Sequence, residues 1–271
     1  MFLFAGFAFA LNFYSDKDTD KYHDGIQKDF DLRQQPLVTG EITERECTLF
    51  CVATFLGAIT LGFVVSNLFG VFVILACLAG GVFYSHPKIR LKAKPVGDIL
   101  CISALGVFVP SGGYVLGTGE RPTALMMIFW FLVTGTGYIS TVMSDYEFDV
   151  KAGLRTSAVF FGQAGLLKGM VIGSLLCVVV AVFILRSDFY PWGTRYFAVF
   201  ASAALIALTA LVWRSLKPPR MHIPIISSPK RWVFVAFGIV SPGILSLLFL
   251  TYGLLKILGP DLLPVDPFWV H

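Results

Sequence analysis

The sequence predicts an all-α membrane protein, a transmembrane bundle of seven full spans preceded by a partial one. Three observations carry that expectation. The 271 residues are 56% hydrophobic and only 14% charged, with a mean hydropathy of +0.77, well outside the range of a soluble domain. Apolar windows of about 20 residues, enough to cross roughly 30 Å of hydrocarbon, recur along the chain. Seventeen of the 21 Lys and Arg residues fall in alternate loops, the asymmetry by which basic loops are retained on the cytoplasmic side. The net charge of +4 is therefore mainly topological, reflecting basic loops beside anionic lipid. It calls for no nucleic-acid partner.

The opening run, Met1 to Tyr14, is apolar but too short to cross alone, so it reads as a fragment of a span or as a signal-peptide core. "AFA" at residues 8 to 10 could pass as a cleavage site, yet no basic segment precedes it, and Lys17, Lys21, Lys28, Arg33 and Arg45 hold the following loop inside. Full spans are then expected over Cys47 to Ser66, Asn67 to Tyr84, Val96 to Leu116 and Thr123 to Met143. Three more are expected over Leu166 to Leu185, Tyr196 to Trp213 and Val233 to Leu258. The outer connections are terse, and "DFYPWG" and the closing "GPDLLPVDPFWV" carry turn residues and interfacial tryptophans that read as anchors. The longer loops, 15–46, 84–97, 144–165 and 214–232, carry nearly all the ionisable residues, so any chemistry faces the cytoplasm. No soluble domain or linker interrupts the chain, which is read as one integral-membrane domain over 1–271. Five cysteines (Cys47, Cys51, Cys77, Cys101, Cys177) lie in or beside apolar spans without metal-binding spacing, and read as small core residues.

Two acidic patterns stand out against this apolar background. Asn12, Asp16 and Asp20 follow one another at steps of four at the end of the opening run. Thr141, Asp145 and Asp149 do the same at the end of the fourth span. On a helix each set shares one face. The likeness suggests an internal repeat, two copies related by a pseudo-two-fold axis along the membrane normal. Like charges at that spacing repel, so a cation between them is expected, and hard oxygen ligands favour Mg²⁺ or Ca²⁺. A plain solvated helix end is the alternative, set against the cost of ionisable groups near hydrocarbon. Asp16, Asp18 and Asp20 also mimic the start of an EF-hand loop, but that loop's sixth and twelfth positions hold Lys21 and Gln27 instead of Gly and Glu.

The loop "YSHPKIRLKAKP" places Tyr84, Lys88, Arg90 and Lys92 at the same membrane face as both acidic stripes. Read alone it is an ordinary positive-inside loop. Beside the carboxylates, it suits a metal-bound polyanion such as a diphosphate. Acidic stripes, basic loop and apolar bundle together fit a substrate with a diphosphate head and a long apolar tail, a polyprenyl diphosphate. Mg²⁺ between the stripes would neutralise the leaving diphosphate while a hydrophobic acceptor captures the allylic cation. Two other readings stand beside this one: a transporter or ion pathway, which membrane acids often mark, and a catalytically inactive bundle serving as a structural partner.

These residues resemble the UbiA superfamily of intramembrane prenyltransferases. The family's N-x-x-x-D-x-x-x-D matches Asn12, Asp16 and Asp20, its D-x-x-x-D matches Asp145 and Asp149, and its Y-x-x-x-K matches Tyr84 and Lys88. "QPLVTGEIT" and "DYEFDVKAGLRT", with Arg155 and Thr156 in place, resemble its flanking segments. The likeness is clear over residues 1 to about 165 and rests on hydropathy beyond. It implies Asn12, Asp16, Asp20, Asp145 and Asp149 as Mg²⁺ ligands, with catalytic roles for the four aspartates shared by Tyr84 and Lys88. Asn12, Lys88, Arg90, Lys92 and Arg155 are then expected on the diphosphate. Phe13, Gln35 and Val142 depart from common family residues, with Arg33 expected to replace the Arg that Gln35 displaces. The departures leave the acceptor open among quinone precursors, carotenoids, chlorophyllides and archaeal-type lipids, and the stretch "YSHPKIRLKAKPVGD" looks most like lycopene elongases and chlorophyll-synthase relatives.

The family fold has nine helices around a central cavity, motif one ending the second and motif two the sixth. Counted on that scheme, the opening run is the end of helix two, and helix one is expected upstream of Met1. Sequencing of upstream in-frame DNA should reveal one further hydrophobic span; a stop codon close before Met1 would count against it.

Overall fold

The computed structural model describes residues 2–20, 35–151, 153–190 and 192–215, and among them the regular structure is entirely helical. The helices are α1 (Phe2–Asp20), α2 (Pro36–Thr39), α3 (Glu44–Val65), α4 (Asn67–Cys77), α5 (Gly97–Thr118), α6 (Ala124–Ser144), α7 (Tyr146–Lys151), α8 (Ser157–Arg186) and α9 (Trp192–Ser215). A π-helical turn, Leu78–Phe83, continues α4, and a 3₁₀ turn, Leu91–Ala93, lies in the basic loop. Five helices are long and apolar enough to cross a membrane: α3, α5, α6, α8 and α9. The chain is an integral membrane protein. The expected second span, Asn67 to Tyr84, is a shorter apolar helix ending at Phe83. The expected seventh span, Val233 to Leu258, lies outside the described residues.

Local chemistry sets the boundaries. Thr43 caps α3 through a reciprocal box, its hydroxyl accepting from Glu46 N–H while the Glu46 carboxylate accepts from Thr43 N–H. Ser66 is extended between α3 and α4 and accepts from Phe69 N–H at 3.1 Å, so a single residue reverses the chain. The fourth span ends at Ser144, and a separate short helix, α7, begins at Tyr146. Asp145 and Asp149 therefore do not extend the face of Thr141 on one continuous helix. Gly162, at φ 63° and ψ 168°, interrupts α8 near its start.

The described chain divides into two compact units. One comprises the residues up to Phe108 together with Asp145–Phe160; the other comprises Val109–Ser144 and the chain from Phe161 onward. In the first, Phe7, Cys47, Cys51, Ala58 and Cys77 form the core where α1 lies on α3 and α4. The rings of Phe7 and Phe55 lie 5.0 Å apart there. In the second, Phe129 and Trp130 of α6 pack with Cys177 and Ile184 of α8 and with Ala198 and Leu205 of α9. All five cysteines are buried free thiols, as core residues should be.

The π-turn fits against α1 because it carries glycine. A Cβ on Gly81 would stand 2.3 Å from Cε1 of the buried Phe7, closer than any packed pair of carbons. Gly81→Ala should lower the thermal unfolding midpoint in detergent, matching a loss of about 1–3 kcal/mol from overpacking. Gly137→Ala is the control: its Cβ would meet Leu205 at 3.9 Å, an ordinary contact, and its midpoint should hold or rise with the better helix former.

Candidate active site

The first unit brings the first acidic motif and the basic loop together. Helix α1 runs through Asp20, so Asn12, Asp16 and Asp20 do sit one turn apart on one helix; the side chain of Asp20 lies outside the described residues. Asp16 accepts from Arg90 Nη2 at 3.0 Å and from Lys92 Nζ at 2.5 Å. Lys92 Nζ also donates to Asn12 Oδ1 at 2.7 Å. That amide oxygen takes a second bond, from Ser85 Oγ at 3.0 Å. These groups are largely removed from solvent, with side chains of Asp16 and Lys92 only 17% and 12% exposed. Charges at such depth persist because they are paired and hydrogen-bonded.

The backbone before the loop explains its reach. The π-turn inserts one extra residue per hydrogen-bonded turn relative to an α-helix, directly ahead of Tyr84 and Ser85. Ser85 is fully buried and points at Asn12, while Tyr84 is half-buried with its ring centroid 5.9 Å from Lys92 Nζ. Lys88 is exposed, its backbone N–H donating to His86 Nδ1 at 3.3 Å. Arg90 adopts φ 41°, a left-handed turn that opens the 3₁₀ segment holding Lys92. On the outer flank of the stripe, Lys17 donates to Glu44 and stands over the Tyr14 ring. The carboxylate partner raises its ammonium above the ordinary lysine value.

The second acidic motif belongs to the same unit but is differentiated. Asp145 is an exposed turn residue, whereas Asp149 is buried on α7 and accepts from the Thr156 hydroxyl at 2.5 Å. The turn between them closes through Leu154 N–H on Asp149 C=O at 2.9 Å. Arg155 is exposed, and Arg33 lies outside the described residues. Gln35 is buried at the start of α2, where its carbonyl accepts from Val38 and Thr39 N–H.

Among the described residues, no three His, Cys, Asp or Glu side chains are gathered as a metal cluster. The donor chemistry nonetheless fits a hard divalent cation. Asn12 Oδ1 and Asp16 Oδ2 both bond one ammonium nitrogen, a positive stand-in between two hard oxygens of the kind Mg²⁺ takes.

Sequence reasoning missed Ser85, Asp98 and Ser157. Ser85 gives no sequence signal beyond following Tyr84. Asp98 gave one: an acid in the first turn of an apolar span is costly and invites a search for its partner. That partner is Ser157, whose hydroxyl donates to Asp98 Oδ1 at 2.5 Å.

The sequence profile of the UbiA prenyltransferase family matches residues 1–223. A 4-hydroxybenzoate octaprenyltransferase of Methylobacillus flagellatus is 31% identical over 182 residues, 65% of this chain and 57% of the relative's own length. A similar enzyme of Herminiimonas arsenicoxydans is 27% identical over 75% of this chain and 66% of its own length. The chain thus spans well under the full length of these curated relatives. A lycopene elongase/hydratase of Haloarcula japonica is 28% identical over 46% of this chain and 40% of its own. Among solved structures, a UbiA homologue from Archaeoglobus fulgidus bound to DMAPP and Mg²⁺ superimposes with a TM-score of 0.79 at 30% identity, covering 94% of this chain and 84% of that one. The same homologue bound to GPP and Mg²⁺ gives a TM-score of 0.76 at 28% identity, covering 95% of this chain and 84% of that one.

Thr156→Val tests the second half of the site by leaving the buried Asp149 carboxylate without its hydroxyl donor. The expected cost is about 1.5–3 kcal/mol, that of a hydrogen bond to a charged group, read as a lower unfolding midpoint in detergent. Thr156→Ser keeps the donor and should lose only the buried methyl group, about 0.8 kcal/mol.

Proposed function

The chain belongs to the UbiA prenyltransferase family, and from that membership we propose that it moves a polyprenyl group from a polyprenyl diphosphate to a lipophilic acceptor, releasing diphosphate. One observation carries the proposal: Asn12, Asp16, Ser85, Arg90 and Lys92 converge into a single paired node built from the first acidic motif and the basic loop. A guanidinium and an ammonium beside hard oxygen donors are what a diphosphate head needs. The apolar helices offer the prenyl tail a hydrocarbon surrounding.

Asn12, Asp16, Asp20, Asp145 and Asp149 are the residues assigned to hold Mg²⁺, which would supply charge neutralisation to the leaving diphosphate. Arg90 and Lys92 bind the diphosphate oxygens, exchanging part of their contact with Asp16 for contact with substrate. Ser85 fixes the amide of Asn12 so that its oxygen faces the cations. Tyr84 lies within cation–π range of Lys92 and keeps that ammonium oriented. Thr156 holds Asp149 in one rotamer. Lys88 and Arg155, each exposed on a loop of the first unit, are assigned to the entering diphosphate, a role the sequence also gives Arg33. The Lys and Arg distribution supports a site on the cytoplasmic face. The acceptor is assigned to the aromatic quinone-precursor class, since several similar proteins are 4-hydroxybenzoate octaprenyltransferases; carotenoids, chlorophyllides and archaeal-type lipids are the competitors.

The experiment uses the chain in membranes with geranylgeranyl diphosphate and a panel of these acceptors, products being identified by mass. Asp16→Ala and Asp149→Ala should each lower kcat/KM by roughly 100-fold or more, the scale of losing one charge-stabilising group. EDTA should stop turnover and added Mg²⁺ restore it. Undiminished turnover in EDTA by both variants would overturn the proposal, and substrate-dependent ion flux without product would favour the transporter reading.

A further inference from the structure

Two adjacent hydroxyls, Thr156 and Ser157, divide their bonds between the two halves of the site. Thr156 donates to Asp149 of the second acidic motif. Ser157, fully buried, does something different: its Oγ accepts the backbone N–H of Val96 at 2.7 Å and donates to Asp98 Oδ1 at 2.5 Å. Asp98 is itself buried, 3% exposed, and its Oδ1 also accepts Ile99 N–H at 2.8 Å. These bonds seize the C-terminal end of the basic loop where α5 begins.

The loop needs such an anchor. Val96 stands at φ 67°, a conformation that a β-branched residue adopts only when its surroundings enforce it. Gly97 follows with no room for a side chain, since a Cβ there would lie 2.6 Å from the Leu91 carbonyl oxygen. The segment from Arg90 to Gly97 is tightly wound, with Ala93 N–H on Arg90 C=O, Lys94 N–H on Leu91 C=O and Gly97 N–H on Lys94 C=O. Release at Val96 would let this winding relax, and the winding is what presents Arg90 and Lys92 to Asp16.

We propose that Asp98 and Ser157 are positioning residues that lock the basic loop in its diphosphate-binding register and, through the neighbouring Thr156, tie that register to the orientation of Asp149. The role in substrate binding rests on the prenyltransferase reading; the mechanical role does not. Neither residue is assigned to the diphosphate head. Their effect is to fix two halves of one site from a shared pair of hydroxyls.

Limited trypsin digestion of the detergent-solubilised chain reads the lock directly. Lys88, Arg90 and Lys92 are cleavable, whereas Lys94 precedes Pro95. Ser157→Ala should speed cleavage within 88–92 about tenfold, the scale of one lost buried hydrogen bond. It should also raise KM for geranylgeranyl diphosphate about tenfold while leaving KM for the acceptor unchanged. Ser174→Ala is the comparison: it removes an equally buried hydroxyl bond, to Thr209 at 2.9 Å, in the other unit, and should change neither quantity. Cleavage of Ser157→Ala at the parent rate overturns the proposal, and so does equal acceleration in Ser174→Ala. A parent protein without transferase activity would refute the proposed function, while the cleavage ratio would still decide this inference.

Discussion

A carboxylate at the edge of hydrocarbon must be compensated, and the pairing of Asp16 with Arg90 and Lys92 is the contact on which the rest of the first unit depends. The partners are separated by more than seventy residues in sequence. For them to meet, α3 and α4 must run out and back and the chain must arrive again at the end of α1. The single-residue reversal at Ser66, the apolar core around Phe7 and the close approach at Gly81 serve that return. Burial of the pair is costly on its own; the hydrogen bonds from Ser85 and Lys92 to Asn12 complete the node and offset part of the cost.

The two acidic motifs look equivalent in sequence and are not equivalent in structure. Asn12 and Asp16 lie on a continuous helix and share cations from the basic loop. Asp145 sits in a turn after α6 has ended, and Asp149 turns inward to Thr156. An ancient duplication would leave this pattern if one copy kept its helix and the other acquired a break. The break has a use, since it draws Asp149 into the unit that holds α1 and the loop.

Much of this was legible in the sequence. Apolar length predicted α3, α5, α6, α8 and α9, and the boundary expected between Ser66 and Asn67 is where α3 gives way to α4. The first acidic stripe was legible because steps of four define one helical face. Three features escaped that kind of reading. The break at Asp145 carries no glycine or proline to announce it. The roles of Lys88 and Lys92 could not be separated by spacing, since loop geometry and not periodicity decides which lysine reaches Asp16. Ser157 is an ordinary residue whose importance comes from a bond to Val96, sixty-one positions away.

The π-turn at Leu78–Phe83 has a consequence for how this region can change by insertion or deletion. Removing one residue there would restore α-helical winding with little change of direction beyond it, since the π-turn takes up one extra residue within the same rotation; removing a second would swing everything after it by about 100° around the helix axis. Ser85 would leave Asn12, and the loop would begin its course from another face of the helix. Loops usually absorb single-residue length changes; here the one residue of slack lies in the π-turn, because the loop beyond it is held at Val96 by Ser157.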